Sequence, residues 1–106
     1  MSTITLSKSI KKNEIDIKKI HVDFNSITGR HIIAAEREAR LMGDSTPDAC
    51  YSKIFQAVLA AKATKESLIV DDILDLSGSD FVRVTTEASN FLFGWVSPVV
   101  SPQEKS

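Results

Sequence analysis

Apolar residues alternate with polar ones up to Phe24 and then recur every three or four positions. A strand shows alternate side chains to one face and a helix every third or fourth, so this change of period divides the chain into two kinds of structure. In "TITLSKSI", Ile4, Leu6 and Ile10 share one parity. "KKNE" follows as a polar turn, where Asn13 tolerates a left-handed backbone. "IDIKKIHVDF" is the return strand, with Ile15 and Ile17 on odd positions and Ile20, Val22 and Phe24 on even ones. One extra residue near Lys18-Lys19 would gather these onto a single face, which predicts a β-bulge there. A lone hairpin over residues 3–24 is marginal in water, so helices or another subunit must cover it.

"TGRHIIAAEREAR" opens the helical part. Thr28 suits the N-cap, with Ile27 and Ile32 at the spacing of a hydrophobic staple. Ile32, Ala35, Ala39 and Met42 then fall on one helical face, Glu36 and Arg40 pair outside, and Gly43 supplies the stop. A phosphate-gripping loop would need several glycines and a Lys-Ser/Thr pair, whereas Gly29 stands alone. Thr46-Pro47 reads as the next helix start, carrying Tyr51, Ile54, Phe55, Val58 and Leu59 on a broad stripe. The small residues of "AVLAAKA" allow a neighbouring helix to come close. "IVDDILDL" makes a short helix, and Ser77 caps the last one, with Asp80 at its third position and Leu76 placed to staple Phe81. The expected fold class is α+β: an N-terminal β-hairpin followed by a small bundle of three to four α-helices. One domain is expected over residues 1–95, with helices at about 28–42, 47–64, 70–76 and 78–93 and Gly94 as terminator. Residues 96–106 hold two prolines and little that packs, and a disordered tail is expected.

Composition narrows the function classes. At 106 residues there is room for one modest core. No apolar run approaches the ~18 residues of a membrane span, and "MSTITLSKSIKK" lacks the pattern of a secretory signal. With Cys50 as the single cysteine, a cytosolic location is expected. Residues 66–95 carry six acids against Arg83 alone, so nucleic acid is not an expected partner. "DDILD" has the spacing of a magnesium-diphosphate motif, but acids at a helix start favour the dipole without any metal. His21 and His31 have no ligand partners at zinc spacing, and Cys50 is read as a small hydrophobe. No catalytic, cofactor-binding or metal-binding residue is expected. "NFLFGW" is different, because Phe91, Leu92 and Phe93 point in successive directions with Trp95 close behind. Phe91 and Leu92 are expected in the core, and Phe93 and Trp95 partly exposed; the four together are the candidate protein-binding residues.

In their order, "LSKSI", the polar turn, "VDFNSITGRHIIAAEREARLMGD", "AVLAAKA" and "VDDILDLSGSDFVRVTTEASNFL" resemble the tail assembly chaperones of contractile-tailed, Mu-like phages. The resemblance covers about residues 4–93. It is most specific at Thr28-Gly29-Arg30 with Ala34 to Arg40, and at Asp80-Phe81 with Asn90-Phe91-Leu92. This chain departs from it with Asn13 in place of a turn glycine and Gly78 in place of a proline. The resemblance implies a non-enzymatic protein of the host cell cytoplasm that binds the tape measure protein, promotes polymerisation of tail tube protein and is absent from the mature virion. It also implies a longer, frameshifted form of the chain as a further partner, and self-association is a further expectation. Against it stand a structural tail or connector subunit retained in the virion and a small DNA-binding regulator.

Overall fold

A computed structural model describes residues 2–96. Strands β1 (Ser2–Lys12) and β2 (Ile15–Val22) form an antiparallel hairpin. Four helices follow among the described residues: α1 (Gly29–Leu41), α2 (Lys53–Ala63), α3 (Val70–Leu74) and α4 (Gly78–Val96). The expected α+β class and order of elements are observed.

Asn13 and Glu14 both have positive φ, 53° and 65°, which gives a two-residue turn whose twist suits a hairpin. The ladder runs from Ser2↔Val22 to Thr5↔Lys19 and resumes at Ile10↔Ile17, so Leu6 to Ser9 stand opposite Lys18 alone. The irregularity lies where it was expected, but the surplus residues belong to β1 rather than β2. The cause is in α4. The Ser7 and Lys8 amides donate to the Asp80 carboxylate at 2.9 and 3.3 Å, and so need no ladder partner. Nor is a single apolar face gathered, since Ile20 and Val22 are buried while Ile15 is 66% exposed.

Asp80 is fully buried. It also accepts from the Ser7 hydroxyl at 3.1 Å and from the Arg83 guanidinium. Burial by itself raises a carboxyl pKa, but the bonds from Ser7, Arg83 and Ser77 outweigh it and hold this carboxyl well below the usual range. The other side of the hairpin is tied down by the segment after α2. Val22 bridges Thr64, Asp23 donates to the Ala63 carbonyl at 2.9 Å, and Lys65 donates to that of His21 at 2.8 Å.

Helix α2 is the centre of the fold. Residues Phe55 to Ala61 are all buried, and α1, α3 and α4 each pack on it. Its small residues therefore admit neighbours from the same chain. Its start differs from expectation: Thr46 is drawn to Asp44, its hydroxyl 2.7 Å from Oδ1, and Asp48 caps a 3-10 turn at Ala49–Tyr51. The N-cap of α2 is Ser52, whose Oγ accepts from the Phe55 amide at 3.2 Å. Tyr51 consequently lies outside the helical stripe assigned to it, 68% exposed.

Helix α1 begins after Thr28 as expected, and its end is a Schellman closure at Gly43 (φ 96°). The Asp44 amide reaches the Ala39 carbonyl at 3.1 Å, and the Gly43 amide reaches that of Arg40 at 3.0 Å. Helix α4 passes through Gly94 to Val96, so Gly94 is not the terminator and residue 96 is not part of a tail. The remainder of the expected tail, residues 97–106, lies outside the described residues.

Candidate protein-binding surface

The candidate residues sit on the last turns of α4, and the helix sends them to different places. Leu92 is buried, at 7% exposed. Phe91 is half-buried and stacks on Phe24, centroids 5.0 Å apart and planes 14° apart. Phe93 is half-buried and meets the exposed Tyr51 ring at 5.0 Å with a 46° tilt. Trp95 belongs to the α4 backbone, and its side chain lies outside the described residues. The sequence reading thus has Leu92 in the core correctly and Phe91 less deeply set than expected. It missed Tyr51, because the 3-10 turn that turns this ring outward follows from Asp48 capping, a signal legible only as "PDAC".

Between the start of α1 and the end of α4 lies an apolar groove of about 320 Å³. Ile27 and Ile32 form one wall, Phe91 and Leu92 the other, and Cys50 closes one side. The local sequence builds the first wall. Thr28 sits at the N-cap, and its amide donates to His31 Nδ1 at 2.9 Å, with histidine in the place usual for Glu or Gln. This fixes the entry angle of the chain, so Ile27 and Ile32 both face the groove. Burial raises the Cys50 thiol pKa, and neighbouring Asp48 raises it further, so the thiolate that nucleophilic chemistry needs is disfavoured.

The polar candidates are engaged elsewhere. His21 Nδ1 lies 2.6 Å from Glu66 Oε2, and the His21 amide donates to Glu66 Oε1 at 3.0 Å. Burial opposes ionisation of Glu66, yet the two contacts from His21 outweigh it and lower its pKa. Asp72 of "DDILD" accepts from the Ile69 amide and from Lys12 Nζ, each at 2.9 Å, as a cap and an ion pair. Among the described residues no three His, Cys, Asp or Glu side chains gather into a group able to hold a metal ion. Arg83, the one base a DNA-reading helix at α4 would offer, is bound to Asp80 and to the Thr5 carbonyl at 2.8 Å. No helix among the described residues is long and apolar enough to cross a membrane.

What this surface can do is bind apolar side chains. Neither a known protein family, nor a curated protein, nor a solved structure matches this chain.

Proposed function

We propose that this chain is a non-enzymatic chaperone of phage tail assembly. In this reading it shields apolar helices of a tape measure protein in the host cytoplasm until tail tube subunits displace it, and it is left out of the mature virion. The observation that carries the reading is the apolar groove left open between α1 and α4. Outside its lining, the Tyr51 and Phe93 rings meet at 5.0 Å and present a further apolar pair, with Tyr51 exposed. A groove of this kind accepts the side chains of an amphipathic helix. Many copies along one long chain give avidity while each contact stays weak enough to be displaced. The motif order set out above supplies the identity of the client.

The test is co-expression with a tape measure protein and measurement of how much co-purifies. Replacing Tyr51→Ser together with Phe93→Ser is expected to leave the far-ultraviolet circular dichroism unchanged and to remove most of the co-purifying tape. Undiminished recovery would overturn the assignment of this surface. A virion subunit built by strand addition is less well supported. Parts of both hairpin edges are already occupied, β1 at Thr5, Ser7 and Lys8 by α4 and the end of β2 by Thr64-Lys65. Mass spectrometry of purified particles separates the two, with the chaperone absent.

A further inference from the structure

The outer face of α1 is built the wrong way round for a helix with only a core to serve. Ala35 and Ala39 point inward at 0% exposed, while the larger Ile33 and Leu41 point outward at 57% and 82%. Arg30, Ile33, Ala34, Arg37 and Leu41 follow one another at helical spacing along that outer face. Gly29 and Ala34 leave a shallow hollow of about 500 Å³ between the two arginines.

Charge distinguishes this stripe from ordinary exposed aliphatics. The flanks of α1 are neutralised within the fold. Arg40 lies 3.6 Å from both Glu36 and Asp44 and donates to the Thr46 carbonyl at 2.6 Å, while Glu38 lies 3.6 Å from Lys62. Arg30 and Arg37 make no ion pair or hydrogen bond among the described residues. They are one heptad apart, about 10.5 Å along the axis.

We propose that this face docks an acidic amphipathic helix of another protein, its aliphatic ridge seated in the hollow and two carboxylates, one heptad apart, meeting Arg30 and Arg37. A helix fits because the stripe is straight and repeats with helical period. Acidity follows from two unpaired guanidiniums flanking an apolar strip, where a carboxylate gains bidentate hydrogen bonds. A second copy of this chain does not supply such a ridge. Asp80 and Glu87 are the acids one heptad apart on a described helix, and Asp80 is buried while Glu87 accepts from the Ser2 hydroxyl at 2.9 Å. The exposed Asp71 and Asp75 are less than a heptad apart, the first on a helix of five residues and the second at its C-cap. This inference stands apart from the tail-assembly reading, and the α1 stripe is a different surface from the groove beside Phe91.

The test is selection from a displayed library of helix-forming peptides against the full chain, followed by binding titration of the enriched peptides. The expected winners carry Glu or Asp one heptad apart beside Leu or Ile. They are expected to bind Arg30→Glu/Arg37→Glu at least about 10-fold more weakly, and peptides with the acids changed to lysine to regain binding to that variant. Amide shifts on the wild type should map to residues 29–41. Winners without acidic bias, or binding unaffected by the charge reversal, would overturn the proposal. So would self-association that Ile33→Ser abolishes, which assigns the face to a second copy, or recruitment to phosphatidylserine vesicles that the charge reversal abolishes, which assigns it to a membrane.

Discussion

Helices α1 and α2 are similar in length, at 13 and 11 residues, and pack against each other, yet they spend their apolar residues in opposite ways. In α2 Phe55, Val58 and Leu59 are sealed in, and alanines fill the places where α1, α3 and α4 approach. In α1 Ala35 and Ala39 face inward, while the larger Ile33 and Leu41 are left in water. The first arrangement stabilises the fold, since each large side chain fully buried contributes about 1.5–3 kcal/mol. The second contributes little to folding. Side by side with Arg30 and Arg37, these exposed apolar residues are the basis of the docking proposal made for α1.

Substitutions can break or sharpen this contrast. Leu59→Ala in α2 is expected to cost about 2–5 kcal/mol, because it opens a cavity among rigid neighbours; urea unfolding monitored by circular dichroism measures it. Asp80→Ala is expected to cost about 1.5–3 kcal/mol by removing the buried acceptor shared by the Ser7 and Lys8 amides and the half-exposed Arg83. The same carboxylate sets an acid response. Its folded-state pKa is lowered, so its contribution is fully present above about pH 4 and is lost as the pH falls below that value. The unfolding free energy of Asp80→Asn, measured in urea at a series of pH values, should accordingly fall less steeply below about pH 4 than that of the wild type. Gly43→Ala meets no neighbouring atom but must adopt φ 96°, which costs about 1–2 kcal/mol at the end of α1. Smallest is the outer stripe: Ile33→Ser with Leu41→Ser should move stability by no more than about 0.5 kcal/mol. A loss comparable to that of Leu59→Ala would show that α1 is held by this face after all, and the contrast would fail.

Much of this was legible in the sequence because it depends on local signals. The alternation before Phe24, Thr28 before α1, Gly43 after it and Ser77 before α4 each act within a few residues, and each sits where its chemistry predicts. Other features depended on distant residues. Which strand carries the extra residues was decided by Asp80, more than seventy positions from Ser7. The start of α2 was misread because Thr46-Pro47 resembles a cap, while Asp44 and Asp48 held that loop in another form. The outer stripe of α1 was present in the spacing of residues 30, 33, 37 and 41, but reading the helix for its core face alone left it unnoticed.

By itself, then, the order of residues determined a hairpin, four helices and most of their ends, because hydrogen-bonded caps and side-chain periodicity are short-range effects. The tertiary structure decided which apolar residues α2 could cover and which were left outside, and so where the groove and the α1 stripe lie. Burial is a property of the packed whole: a side chain is sealed only when other elements arrive to seal it, and a local pattern does not specify which ones will.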